Sequence, residues 1–192
     1  MSWSSPAAAE LRLAVLGDSL TAGYGLALEQ AFPARLEAAL VESGFDVRVI
    51  NAGVSGDTTA GGLARLDWLL ADRPNFVVLA LGANDGLRGL PTEAMYENLA
   101  AIINRLYDLG IPVLIAGMYA PPNYGPDYGK AFAAVYEQLG VEYDAPLYRF
   151  FLDGVVGDPT LMLNDGIHPN AAGVAVMVER ILPLVQSWLQ AE

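Results

Sequence analysis

Three residues of this sequence could together form an acyl-transfer catalyst. Ser19 offers a hydroxyl that becomes a nucleophile when a base removes its proton. His168 is the only histidine, and an imidazole can act as that base near neutral pH. Asp165 lies one turn earlier, where its carboxylate could hold the ring and set its tautomer. The alternative is structural: Ser19 as a helix N-cap and Asp165 as a turn residue.

Two other residues could stabilise the oxyanion of such a reaction. Acyl transfer needs hydrogen-bond donors aimed at the developing negative charge, and the Gly53 N–H and the Asn84 amide are suitable. The Ser19 N–H would join them if it lies at a helix N-terminus. The structural alternatives are that Gly53 permits a tight turn and that Asn84 bonds within its own loop.

The elements that must position these residues alternate along the chain. Apolar, β-branched runs predict strands over 11–16, 47–51, 76–81 and 112–118. Helical spacing predicts helices over 31–43, 59–71, 92–109 with Thr92 as N-cap, 128–139 and 170–190. This alternation indicates βαβ units and a parallel sheet covered by helices on both faces, an α/β sandwich.

Small and polar residues follow these apolar strands. Loops begin at Gly17, Asn51, Gly82 and Met118. In open α/β sheets the chemistry gathers at the carboxyl ends of the strands. We therefore expect the active site at this edge of the sheet, within one domain spanning residues 1–192.

The composition argues against several classes of ligand and cofactor. The formal net charge of −12 argues against nucleic-acid binding, which needs a basic face, and should repel polyanions such as coenzyme A esters. Because salt screens self-repulsion, tolerance of high salt is expected of this acidic surface. With no cysteine and one histidine, no metal or other cofactor is expected.

The location of the protein stays open between the cytoplasm and the periplasm or exterior. A chain without cysteine suits each compartment, and residues 1–10 show no signal-peptide pattern. No run of about 18 apolar residues predicts a membrane span.

Four segments taken together are more specific than any single residue. They are 17–20 (GDSL), Gly53 in 51–53 (NAG), 82–85 (GAND) and 165–168 (DGIH). In that order they resemble the SGNH hydrolase superfamily, also called the GDSL family. The resemblance implies a flavodoxin-like three-layer α/β/α sandwich with a mostly parallel five-stranded sheet. It also implies Ser19 as nucleophile, His168 as base, Asp165 as orienter, and an oxyanion hole of Ser19, Gly53 and Asn84.

Longer stretches resemble one bacterial branch, the arylesterases and thioesterase I/lysophospholipase enzymes. These stretches are 54–59 (VSGDTT), 84–89 (NDGLRG) and 122–125 (PNYG). The resemblance implies an open groove with little lid, whose acyl chain contacts Leu87, Leu90, Met118 and Tyr119. The alternative for these four residues is ordinary packing at loop ends.

The sequence thus predicts an esterase for short- to medium-chain carboxylic esters, a small-molecule enzyme acting as a monomer or small homo-oligomer. An acyl-CoA thioesterase or lysophospholipase is the alternative within the family. A flavodoxin-like binding module is a remote alternative, since segment 17–20 makes a poor phosphate loop. The α/β-hydrolase elbow is excluded, because Ser19 lacks the final glycine of Gly-x-Ser-x-Gly.

Overall fold

The computed structural model describes residues 10–191. Its centre is a sheet of five parallel strands in the order β2-β1-β3-β4-β5. The strands are β1 (Leu11–Gly17), β2 (Val47–Gly53), β3 (Phe76–Ala80), β4 (Val113–Ala116) and β5 (Leu147–Tyr148). The expectation about a signal peptide in residues 1–10 falls almost wholly outside the described residues.

Helices cover both faces of the sheet, so the predicted three-layer sandwich is confirmed. The helices are α1 (Ser19–Ala22), α2 (Phe32–Glu42), α3 (Thr59–Ala64), α4 (Leu66–Ala71), α5 (Ala83–Leu87), α6 (Thr92–Tyr107), α7 (Pro126–Glu142) and α8 (Ala171–Ala191). On one face α2 packs against α8, and on the other α6 packs between α3 and α7.

The central strands are apolar because helices shield them on both sides. Every residue of β3 is buried, and so is β1 from Leu13 onward. In the parallel register Leu13 lies opposite both Val49 and Phe76. The strand order reverses direction between β1 and β3, which makes the carboxyl end of β1 the switch point of the sheet.

Two elements differ from the sequence prediction. The helix expected over 59–71 is two helices, because the backbone leaves helical geometry at Arg65. The guanidinium of Arg65 reaches back to the Asp57 carboxylate and the Gly17 carbonyl. The fifth strand, which no hydrophobic run located, is only Leu147–Tyr148.

The N-cap predicted at Thr92 is wrong. Pro91 occupies the cap position of α6, and Thr92 is the first helical residue. The Thr92 hydroxyl contacts the neighbouring Glu93 carboxylate at 3.4 Å and caps no backbone N–H. A proline in extended geometry already sets the entry to this helix, since its ring fixes φ.

Within residues 10–191, only α8 is long and apolar enough to cross a membrane by length and composition. Its apolar face, which includes Val174, Met177, Ile181 and Val185, is buried in the core. Packing against the sheet therefore accounts for the composition of this helix.

Candidate active site

Ser19 is held at the carboxyl end of β1. Asp18 caps α1, and its side chain accepts the Leu20 N–H at 3.0 Å. Ser19 itself is the first helical residue, so it is not the N-cap that the structural alternative required. Its own N–H has no acceptor among residues 10–191. The fold thus leaves both the hydroxyl and the amide of Ser19 available.

His168 comes from the other end of the chain. The Ser19 Oγ and His168 Nε2 atoms are 2.9 Å apart, although 149 positions separate the residues. The other ring nitrogen, Nδ1, lies 2.7 Å from Asp165 Oδ2. The three predicted side chains therefore form one continuous chain of hydrogen bonds, an arrangement in which the ring can take the serine proton.

The second oxygen of Asp165 secures the turn that carries the histidine. Asp165 Oδ1 accepts the backbone N–H of Ile167 at 2.9 Å and of His168 at 3.0 Å. These backbone hydrogen bonds, with that to the His168 ring, lower the pKa of Asp165 to about 2. The carboxylate therefore stays ionised over the whole neutral and mildly acidic range.

Asn170 anchors the same segment from the far side. Its Oδ1 caps α8 by accepting the N–H groups of Ala172 and Gly173. Its Nδ2 donates to the carbonyl of Thr160 at 2.8 Å. Asn170 thus ties the histidine loop to a long helix.

Asp18 is a buried carboxylate next to Ser19 in the chain. It is 1% exposed, and this burial raises its pKa to about 6, against the lowering effect of hydrogen bonds from Leu20 and Asn84. The Leu20 N–H donates to Asp18 Oδ1 at 3.0 Å, and the Asn84 Nδ2 donates to Asp18 Oδ2 at 3.4 Å. Sequence reasoning missed this residue, since nothing in the segment 17–20 distinguishes a buried carboxylate from an exposed one.

Asn84 lies in the loop that follows β3, at the start of α5. Its Nδ2 donates to the Asp57 carbonyl at 2.9 Å and makes the long 3.4 Å contact to Asp18. The first bond fixes the amide plane. The N–H group in the long, weak contact is the one that can donate a hydrogen bond to a substrate oxygen instead.

Gly53 does not lie where the prediction required. Its N–H donates to Asn51 Oδ1 at 3.0 Å, and it is not among the residues that line the cavity around Ser19. A side chain here would collide with the Ala22 nitrogen, since an added Cβ would be 2.4 Å away. Close packing of β2 against α1 explains this glycine, and its assignment to the oxyanion hole is a prediction that the geometry contradicts.

Gly56, three residues later, does line the cavity with Ser19 and Asn84. Its N–H has no acceptor within the described part of the chain, and its carbonyl receives the Arg88 guanidinium at 2.8 Å. Gly56 belongs to segment 54–59, one of the stretches that resemble the bacterial branch. That resemblance is the sequence signal that could have identified this glycine as an oxyanion donor.

Four ionic and polar hydrogen bonds hold the loop that contains Gly56. The Arg65 guanidinium donates to Asp57 at 2.5 Å and to the Gly17 carbonyl at 2.9 Å. On the other side, the buried Asp85 carboxylate accepts the Thr59 hydroxyl at 2.6 Å and its N–H at 2.9 Å. These supporting residues join the loops after β1, β2 and β3 into one unit, and sequence reasoning did not name them.

A cavity of about 810 Å³ opens beside Ser19 and His168. Its walls are largely apolar, with Tyr119 stacked on Phe150 at a centroid distance of 4.6 Å. Three of the four predicted acyl contacts line it, namely Leu87, Met118 and Tyr119.

Leu90, the fourth, lies outside this cavity. Its carbonyl accepts the Tyr128 hydroxyl at 2.8 Å, and its N–H donates to the Asp85 carbonyl. Both bonds hold the backbone of Leu90 in the turn after α5.

No group of three or more His, Cys, Asp or Glu side chains in residues 10–191 is arranged to hold a metal ion. The side chains already described offer the groups that acyl transfer needs. The site combines a hydroxyl, a base, an orienting carboxylate, free N–H groups and an apolar cavity.

The chain is similar to proteins of one known family. Residues 15–176 match the model of the GDSL-like Lipase/Acylhydrolase family. Esterase TesA of Pseudomonas aeruginosa is 44% identical over 183 residues, covering 95% of this chain and 91% of that protein. Thioesterase 1/protease 1/lysophospholipase L1 of Escherichia coli K12 is 41% identical over 165 residues, covering 85% and 78%.

A solved structure gives the same result in three dimensions. The psychrotrophic esterase EstA from Pseudoalteromonas sp., inhibited by monoethylphosphonate, superimposes with a TM-score of 0.88 at 36% identity. The match covers 93% of this chain and 98% of that one.

Proposed function

Because this chain belongs to the GDSL-like lipase/acylhydrolase family, the SGNH hydrolases, we propose that it is a serine esterase of short- to medium-chain carboxylic esters. Residues 1–192 would form one hydrolase domain. The observation that carries the proposal is the hydrogen-bonded chain from Ser19 Oγ through the His168 ring to Asp165. The similarity to proteins named as esterases supports it.

In the first half of the reaction, His168 Nε2 takes the proton from Ser19 Oγ as the oxygen attacks the ester carbonyl. Asp165 holds the ring in the tautomer that leaves Nε2 free and stabilises the imidazolium that forms. Collapse of the tetrahedral intermediate breaks the bond to the alcohol oxygen, which receives the proton from His168. An acyl-enzyme on Ser19 remains.

The oxyanion of this intermediate would be stabilised by three donors. They are the N–H groups of Ser19 and Gly56, which have no acceptor among the described residues, and the Asn84 amide. Donors fixed in advance by the fold stabilise the transition state without reorganisation.

In the second half, water attacks the acyl-enzyme with the same imidazole as base, and the acid leaves. The acyl chain would lie in the apolar cavity against Leu87, Met118 and Tyr119. Burying each methylene there stabilises the bound substrate by about 0.8 kcal/mol, which favours chains of several carbons over acetyl.

The decisive experiment is hydrolysis of a panel of p-nitrophenyl esters from acetyl to dodecanoyl by the wild type and Ser19→Ala. We expect the variant to lose activity by several orders of magnitude while its thermal unfolding is unchanged. Undiminished hydrolysis by Ser19→Ala would overturn the assignment of the nucleophile.

The thioesterase or lysophospholipase alternative is favoured by the Escherichia coli relative, whose name carries both activities. The net charge of −12 opposes a polyanionic coenzyme A ester. Two arginines near the site could offset this repulsion. Arg65 is paired with Asp57 and largely buried, whereas Arg88 is exposed and donates to the Gly56 carbonyl beside the cavity. Comparing kcat/KM for a hexanoyl ester and hexanoyl-CoA from 0.05 to 1 M NaCl would decide between these substrates.

A further inference from the structure

Tyr24 is an exposed aromatic residue placed against the catalytic base. Its ring centroid lies 4.4 Å from that of His168, with the ring planes 33° apart. Half of the side chain (52%) remains exposed, so burial in the core does not explain its position. Its hydroxyl has no hydrogen-bond partner within residues 10–191.

The backbone around Tyr24 is shaped to hold the ring there. Gly23 and Gly25, on either side, both have positive φ, which side chains disfavour. The Tyr24 N–H donates to the Ser19 carbonyl at 3.2 Å, which ties the residue to the nucleophile's own turn.

The histidine loop presses against the same turn. A Cβ added to Gly25 would lie 2.8 Å from the Leu163 side chain. Leu163 in turn donates its N–H to the His168 carbonyl at 2.7 Å. The turn around Tyr24 and the loop around His168 are therefore packed as one unit, with the two rings in tilted contact.

Given the proposed esterase function, on which this inference rests, we propose that Tyr24 is a positioning residue that holds the His168 ring and stabilises its imidazolium form during proton transfer to the departing alcohol. The face of an aromatic ring attracts a cation within about 6 Å of its centroid. The imidazolium exists only after Ser19 has been deprotonated. The contact therefore strengthens in the transition state, which is where an interaction raises the rate.

The contribution should depend on the leaving group. An alkyl alcohol must receive a proton from His168 as its C–O bond breaks, whereas p-nitrophenolate leaves without one. Loss of the Tyr24 ring should thus impair hydrolysis of an ethyl ester more than that of a p-nitrophenyl ester with the same acyl chain. A residue that only formed a binding wall for the leaving group would show the opposite order.

The test measures kcat/KM on ethyl hexanoate and p-nitrophenyl hexanoate for the wild type, Tyr24→Leu, Tyr24→Gln and Tyr24→Phe. For the two variants without a ring we expect a loss of roughly threefold to tenfold on the ethyl ester and a smaller loss on the p-nitrophenyl ester. Tyr24→Phe should stay within about twofold of the wild type on both, because the ring is kept and the hydroxyl has no partner in the described part of the chain.

Tyr119→Leu is the matched control. Tyr119 has nearly the same exposure (53%) and lines the same cavity, but its ring contact is with Phe150. Its loss should change both esters by the same factor.

Equal losses on both esters for the ring-less variants, a larger loss on the p-nitrophenyl ester, or equal damage in Tyr24→Phe would each overturn the inference. Ser19→Ala, measured alongside, separates this failure from failure of the proposed function. If Ser19→Ala is inactive while Tyr24→Leu matches the wild type, only the role of Tyr24 is wrong.

Discussion

Asp165 divides its two carboxylate oxygens between the backbone and the ring of His168. Oδ1 accepts the Ile167 and His168 N–H groups, and Oδ2 faces the imidazole Nδ1 at 2.7 Å. One oxygen thus shapes the turn and the other orients the base. The two roles can be separated by substitution.

Asp165→Asn should preserve the turn that carries His168 but lose most of the catalytic activity. The amide oxygen can still accept both backbone N–H groups, but an amide NH₂ facing Nδ1 favours the wrong tautomer of the ring. We expect kcat/KM on p-nitrophenyl hexanoate to fall by about 10²–10⁴-fold, with thermal unfolding within a few degrees of the wild type. A variant with at least one-tenth of wild-type activity would remove Asp165 from the mechanism.

Asn84→Ala removes one proposed oxyanion donor. Because the amide contributes mainly in the transition state, kcat should fall by roughly 10²–10³-fold with little change in KM. Steady-state kinetics on the same ester measure this. Asn84→Asp is the control for shape, since it keeps the side-chain size and replaces the donor with an acceptor. If either variant retains the full rate, the hole does not include this amide.

The buried Asp18 predicts an unusual pH dependence of stability. Burial raises the pKa of this carboxyl to about 6 in the folded protein. Between about pH 4 and 6 the folded chain therefore holds a proton that the unfolded chain has released. Stability contributed by this group is present below pH 4 and is lost as the pH rises through 6.

Asp18→Asn has no such titration, and its oxygen can still accept the Leu20 N–H. The unfolding free energy of Asp18→Asn minus that of the wild type should increase between pH 4 and pH 7. Urea unfolding at pH 4, 5.5 and 7 gives this difference, in which contributions from other groups such as Asp165 cancel. A difference that is constant with pH would mean that Asp18 is not the buried acid described here.

Leu87 and Leu90 form a matched pair for the acyl site. Leu87 lines the cavity beside Ser19, whereas Leu90 does not. Leu87→Ala should lower kcat/KM on an octanoyl ester by up to about tenfold and leave the acetyl ester nearly unchanged, because only a long chain reaches it. Leu90→Ala should not alter this preference, and an equal effect of both variants would contradict the assignment.

The acidic composition predicts stabilisation by salt. With a net charge of −12, repulsion between surface carboxylates opposes the folded state, and ions screen it. The melting temperature should rise from 0.05 to 1 M NaCl, and equally in KCl, with hydrolytic activity retained. Calorimetry in both salts checks this, and a melting temperature that falls with added salt would count against it.

Much of the site was predictable because catalytic motifs depend on residue types in a fixed order. Apolar runs separated by helical spacing predicted the α/β layers, and parallel strands bring their carboxyl-end loops to one edge. That reasoning placed Ser19 at this edge, and the resemblance carried by the four short segments paired it with His168. The resemblance supplied the fifth strand, which at Leu147–Tyr148 is too short to leave a hydrophobic pattern.

Tertiary structure alone decided which members of those loops face the cavity. By residue type, Gly53 and Gly56 could each donate an N–H to an oxyanion. The Gly53 N–H is bonded to Asn51, however, and Gly53 packs closely against α1 instead of lining the cavity. The burial of Asp18 and the contact between the Tyr24 and His168 rings likewise depend on segments far apart in the chain. The local sequence specifies which residue types are present and the hydrophobic spacing that predicts helices and strands. The direction of an N–H or a ring follows from packing between distant segments, which local patterns do not encode.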